Sequence, residues 1–404
     1  MTPFPHQDRA QAFGFARRTA WCLDKNALTQ ELVRLRETGQ EILDLTESNP
    51  TRCDFPFSSQ EFLNPLISAQ NMSYDPCPRG IRPAREALCR YYADRGIELD
   101  PEQIFLTAST SEAYAFLFRL LADPGDAVLF PQPSYPLFDF LGGLNDVAVE
   151  YYPLTYTDGW RPDLGKLRTG LKPTTKAVVL VNPNNPTGSF IRQPDLTILA
   201  ALCAERGIPI ISDEVFHDYR LDSRLAPLTL LTYRDSLTFV LGGLSKALAL
   251  PQMKLSWIVM NGPAASCRQA GERLEIIADT YLSASTPTQN ALKSWLTLQP
   301  GVLKMILGRL RHNDMTLKRI FGTASRGQYL TTEGGWSAVV RLPRTCHEES
   351  FVLSLLEENH VLVYPGFFFD FTRQSVIVVS LLPPEDIFQE GIRRLREHIK
   401  VALG

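Results

Sequence analysis

A chain of 404 residues, 44% of them apolar, can bury a large core and more than one domain. Its 41 basic and 44 acidic residues leave a formal charge of −3, which gives neither nucleic acid nor an anionic membrane an electrostatic reason to be the main partner. Apolar runs stop at strand length, short of the roughly 20 residues that a membrane span needs. The N-terminus carries no apolar signal core, and the seven cysteines are scattered without a C-x-x-C pair, so a cytoplasmic protein with reduced thiols and no metal cluster is the expectation.

The first sixty or so residues show no βαβ pattern and are expected to pack against a C-terminal domain. The middle of the chain alternates strands with helices. "QIFLT" (103–107) reads as a strand, and "SEAYAFLFRLLAD" (111–123) as a helix with apolar positions three and four apart. "PGDAVLF" leads into a strand and "PSYPLFDFLGGL" into a helix ending at glycine. "DVAVEYYPL", "TKAVVLVNP", "GIPIISDE", "SLTFVLGGLS" and "KLSWIVMN" are strand-like, with helical "PDLTILAALCAER" among them. This order predicts an α/β fold, a mostly parallel sheet with helices on both faces. From about residue 265 long helical stretches give way to "GGWSAVVRL", "HVLVYPG" and "SVIVVSLL", which predicts a smaller α+β domain. The expected division is an N-terminal segment over 1–60, a large domain over 61–284 and a small domain over 285–404.

In open parallel sheets ligands sit beyond the carboxyl ends of the strands. Five polar clusters fall there in a row. "TASTSEA" (107–113) sets Ser109, Thr110 and Ser111 at a helix start, either as a cap or as an anion site. "PSYP" carries Tyr135. In "NPNNPTG" (182–188), Asn185 either closes a turn on its own backbone or donates to a ligand. "SDEVF" (212–216) ends an apolar run on Asp213, a carboxylate that needs a cation or several hydrogen bonds. "VLGGLSKALALPQMKLSW" (240–257) places Lys246 at the end of another.

Lys246 decides among these readings. An amine with an ordinary pKa near 10.4 becomes nucleophilic at neutral pH only when depressed by about three units, which desolvation can do. Pyridoxal phosphate asks four things of a protein: a lysine for its aldehyde, a carboxylate for its ring nitrogen, an anion site for its phosphate and a flat partner for its ring. Lys246, Asp213, the hydroxyls of 109–111 and Tyr135 can supply them. The stretch does not match a P-loop.

The segments "YDPCPRGIRPAREAL", "NPNNPTG", "DEVF" and "LSKALALPQMKLSW", in this order and spacing, resemble the class I/II aminotransferase family of fold-type I pyridoxal-phosphate enzymes, from about residue 40 to the C-terminus. The resemblance implies a Schiff base on Lys246, which then carries the proton between Cα and the cofactor. It implies Asp213 on the ring nitrogen, Asn185 on the phenolic oxygen and Tyr135 stacked on the ring. Ser109, Thr110 and Ser111 would cradle the phosphate with Ser245 and Lys254. Tyr74 in "MSYDP" would reach the phosphate of a neighbouring subunit, hence a homodimer with shared sites. The substrates would be an amino donor and a 2-oxo acid acceptor.

Three positions depart from the family pattern. Lys254 stands where the family has a phosphate-binding arginine, keeping the charge but not the bidentate fork. Phe216 replaces a tyrosine that donates to the phenolic oxygen, which predicts a raised Schiff-base pKa unless Tyr219 substitutes. Val378 replaces the arginine that clamps the substrate carboxylate. Arg52, beside Ser48 in "TESNP", is the first candidate replacement and Arg373 the second; Trp336 is expected either to border the substrate pocket or to pack between domains. A lyase on the same scaffold and a non-catalytic cofactor-binding scaffold are the rival readings. His217 beside "DEVF" receives no role.

Overall fold

The computed structural model describes residues 14–322, 327–343, 346–372 and 374–402. Its centre is an eight-stranded sheet built from β1 (Ile104–Thr107), β2 (Ala127–Gln132), β3 (Ala148–Tyr156), β4 (Trp160–Pro162), β5 (Thr175–Val181), β6 (Ile210–Asp213), β7 (Thr238–Gly243) and β8 (Ser256–Asn261), in the order β1-β8-β7-β6-β5-β2-β3-β4. The pairs β3·β2, β2·β5, β5·β6 and β6·β7 are parallel. β8 runs antiparallel to both β1 and β7, and β4 antiparallel to β3.

The central strands are apolar throughout because both faces are covered. Val178, Ile210 and Val240 enter one core, while their neighbours Val179, Ile211 and Phe239 enter the other, which is the period-two alternation of a strand buried on both sides. Helices such as Thr110–Leu121, Gln193–Glu205 and Ala264–Tyr281 supply those covers. The carboxyl ends of β1, β5, β6 and β7 therefore share one edge of the sheet, with Thr107, Val181, Asp213 and Gly243 at their tips.

A second, four-stranded sheet is antiparallel throughout, in the order Gln328–Leu330, Ser337–Arg341, Val376–Ser380, Tyr364–Pro365. Helices Glu348–Asn359 and Glu385–Ala402 belong to this C-terminal part. Leu43–Asp44 pairs in parallel with Val361–Leu362, and helix Ala27–Glu37 packs on Glu348–Asn359. The 36-residue helix Thr286–Phe321 packs on both Arg82–Ala93 and Glu385–Ala402, tying the two parts together. No described helix is long and apolar enough to cross a membrane.

Candidate active site

A cavity of about 510 Å³ opens between the carboxyl edge of the large sheet and the four-stranded sheet. Lys246 enters it from the single turn Leu244–Ala247 that follows β7. The glycines before it are dictated by β8, which lies alongside: a Cβ at Gly242 would overlap the Trp257 indole and one at Gly243 the Ser256 hydroxyl. Tyr219 holds the turn from below, its hydroxyl donating to the Lys246 carbonyl oxygen at 2.6 Å. The amine Nζ stands 4.5 Å from the Trp336 ring centre and 5.0 Å from that of Phe216. Lys246 is partly open to the cavity, yet the protein around it desolvates the amine and pushes its pKa down to about 8, against the opposing pull of the Asp213 charge.

Asp213 lies at the tip of β6, buried, with its carboxyl facing the same cavity. Burial pushes its pKa up to about 6, although the Val215 N–H donates to Oδ1 at 3.2 Å and the Tyr114 hydroxyl to Oδ2 at 3.1 Å. An amine shifted down and a carboxyl shifted up thus share one cavity, a pairing of perturbed groups that functional sites favour.

The helix Thr110–Leu121 starts at the cavity rim. The Ser109 hydroxyl accepts the Glu112 N–H at 3.1 Å, so the cap is present. The hydroxyls of Thr110 and Ser111 face the cavity beside the free N–H groups of the first turn. Asn184 pins the 182–188 turn by accepting from the Thr187 hydroxyl at 2.9 Å, which leaves Asn185 to line the cavity; there its Oδ1 accepts from the Ser337 hydroxyl at 3.4 Å. Tyr135, Ser245, Lys254, Ser48 and Trp336 also line it. The donor set suits a planar, phosphorylated aldehyde: an amine, a buried acid, a helix start rich in hydroxyls and an aromatic neighbour.

Other expected residues lie elsewhere. Arg52 points to solvent, 4.0 Å from Glu47, and does not line the cavity. Tyr74 is exposed and borders a separate small cleft with Leu282. Tyr219 is fully buried with its hydroxyl committed to the lysine turn, so it cannot stand in for the missing phenol at 216. Arg373 lies outside the described residues. His217 lines a second cavity of about 440 Å³, where Arg95 pairs with Asp218 at 3.2 Å. Val378 is buried and lines the first cavity, and among the described residues the charged side chains that do so are Asp213, Lys246 and Lys254. Sequence reasoning missed Tyr114, Thr46, Tyr364 and Ser380, all on the cavity wall. Tyr114 had a signal, since it sits one helical turn beyond Thr110 and so on the same face.

The profile of the aminotransferase class I and II family matches residues 44–389. The chain is 26% identical over 388 residues to glutamate-pyruvate aminotransferase AlaA of Haemophilus influenzae, spanning 93% of this chain and 95% of that protein. It is 28% identical to an alanine aminotransferase of Mycobacterium bovis, spanning 91% and 87%. Among solved structures, an alanine aminotransferase from Pyrococcus furiosus superposes with a TM-score of 0.85 at 24% identity, over 93% of this chain and 96% of that one. With a profile match over most of its length, the chain belongs to the class I and II aminotransferases, and it moves an amino group between an amino acid and a 2-oxo acid with pyridoxal phosphate as cofactor.

Proposed function

We propose that Lys246 is the amine that would hold the cofactor's aldehyde and that, when free, would hold and move the proton at the substrate Cα. The observation that carries this is the shared cavity of Lys246 and Asp213, with their pKa values drawn toward neutrality from opposite sides. When bound, pyridoxal phosphate supplies the electron sink for the pair of electrons left at Cα. Asp213, steadied by Tyr114, would hold the cofactor's ring nitrogen and favour its protonated form. Asn185 would donate to the phenolic oxygen and Tyr135 would cover the ring. Ser109, Thr110 and Ser111 hold the phosphate at the helix start, with Ser245 and Lys254 completing the anion site.

The protein acts as a cytoplasmic homodimer in this reading. Its support is the run of exposed apolar side chains around Tyr74, with Ile67 82% and Met72 89% exposed, a surface that a second copy would cover. Tyr74 then reaches the partner's phosphate site. The division into segments 1–60, 61–284 and 285–404 belongs to the same reading, supported by the pairing of Leu43–Asp44 with Val361–Leu362.

Borohydride reduction of the cofactor-loaded protein, followed by peptide mapping, tests the central assignment. The adduct is expected on Lys246, and an adduct on any other lysine refutes it. Alanine and glutamate, named for the relatives, are the first donors to offer, with sedimentation to measure the dimer.

A further inference from the structure

The cavity has a substrate end, and its chemistry is unlike that of the cofactor end. Val376–Ser380 pairs with Tyr364–Pro365 so that Val378 lies directly opposite Tyr364. Cross-strand partners project to the same face, as do residues two apart on one strand. Val378, Tyr364 and Ser380 therefore present one surface, and all three line the cavity. Val378 offers only methyl groups there, and no arginine among the described residues lines the cavity.

The surface does hold donors. The Ser380 oxygen accepts the Leu382 N–H at 3.2 Å, which leaves its own proton to give. The Tyr364 phenol has Thr46 as its side-chain hydrogen-bonding neighbour. Thr46 already donates to Asp44 Oδ1 at 2.5 Å, so the phenol proton has at most the Thr46 oxygen as acceptor, one it can exchange for a substrate oxygen. Burial raises the phenol's pKa, so it is a donor at neutral pH. The Trp336 indole, which lines the same cavity, carries a buried N–H without a partner. The nearby carboxylates, Asp44 and Glu47, add no attraction for an anion; Arg36 stands 3.9 Å from the first and Arg52 4.0 Å from the second.

We propose that the hydroxyls of Tyr364 and Ser380 hold the group on the substrate's Cα through neutral donors, so that the site takes an amino donor bearing either a carboxylate or a carboxamide with little distinction between them. A guanidinium rewards the negative charge; a phenol and a serine reward an oxygen acceptor, which both groups have. The proposal rests on the reading of Lys246 as the cofactor-bearing amine.

The test uses three amines that lack a Cα hydrogen and so bind without reacting further: 2-methylalanine, its amide, and tert-butylamine. Each is titrated into the holoenzyme at matched free-amine concentration, with the cofactor absorbance band as readout. The acid and the amide are expected to bind within about tenfold of each other, and both tighter than tert-butylamine. Tyr364→Phe is expected to weaken the acid about tenfold and the amide about threefold while leaving tert-butylamine unchanged. Ser380→Ala gives the same pattern, smaller, and serves should the first variant not fold. A wild-type preference for the acid above about a hundredfold, which would require a cation, overturns the proposal. So does a Tyr364→Phe that spares the acid or weakens all three amines alike. A protein that shows no cofactor band at all overturns the Lys246 reading instead, and this proposal with it.

Discussion

The floor and the far wall of the cavity each belong to a different sheet, and they treat polarity differently. The floor, on the parallel sheet, brings Lys246 and Asp213 to one edge and surrounds them with hydroxyl and amide groups. The wall, on the small antiparallel sheet, presents Val378, Tyr364 and Trp336, and no charge. The difference follows from what each must hold. A pyridine nitrogen, an aldehyde and a phosphate need an acid, an amine and an anion site at set distances. In the proposed reading the wall meets the substrate through shape and hydrogen-bond donors, which several residue types can provide.

The largest expected effect breaks the floor. Lys246→Ala should drop single-turnover amino transfer to background, on the order of 10⁵-fold, because it removes both the covalent anchor and the proton carrier. Should transfer survive that change while Tyr364→Phe abolishes it, the roles given to floor and wall are reversed. Asp213→Asn should lower kcat by about 10²–10³-fold, the usual loss for one preorganised electrostatic contact at a reacting group.

The same variant has a stability signature in the cofactor-free protein. Burial lifts the Asp213 pKa from 3.8 to about 6, so the folded chain keeps a proton that the unfolded chain releases across that window. This site's contribution to stability is therefore highest at low pH and falls as pH rises toward 6. Denaturant titrations of Asp213→Asn should lack that fall, and an unchanged pH profile would mean that the carboxyl is better solvated than its burial implies.

Lys246 titrates the other way. With its pKa lowered to about 8, the free amine grows as pH rises. Capture of added pyridoxal phosphate by the cofactor-free chain, followed by stopped-flow absorbance, should quicken with a midpoint near pH 8 and level off above it. A midpoint near the ordinary lysine value would show that the amine is not desolvated.

Smaller effects sharpen the boundary between floor and wall. Phe216 lies there, its ring 5.0 Å from the amine. Phe216→Tyr should lower the pH midpoint of the bound cofactor's absorbance by about one unit, since a phenol would favour the deprotonated form. No change would place residue 216 out of reach of the phenolic oxygen. Lys254→Arg should tighten cofactor binding by about two- to fivefold in equilibrium dialysis, the smallest of these effects, because it adds a forked donor to a charge already present.

Much of the floor could be read along the chain. Asp213 closes "IPIISD" and Lys246 closes "FVLGGLSK", so each charged residue stands where an apolar strand stops. A parallel sheet puts such ends on one edge whatever the rest of the fold does. The antiparallel insertion of β8 between β1 and β7 could not be read, since "KLSWIVMN" has the same apolar texture as its parallel neighbours. Arg52 looked like a carboxylate clamp because of its place just after "TESNP", yet its side chain turns outward to Glu47.

What the sequence determined is the class of fold and the placing of Lys246 and Asp213 at strand ends, because strand periodicity and strand-end polarity are local properties that survive any packing. What only the tertiary structure decided is the substrate end. The pairing of Tyr364 with Val378 joins two short strands that are not contiguous in the sequence, and their meeting with Lys246 depends on how the small sheet lies over the large one. Neither is written in any window of neighbouring residues. Contacts of that range are set by the packing of whole elements, so the wall of the cavity emerges only once the chain has folded.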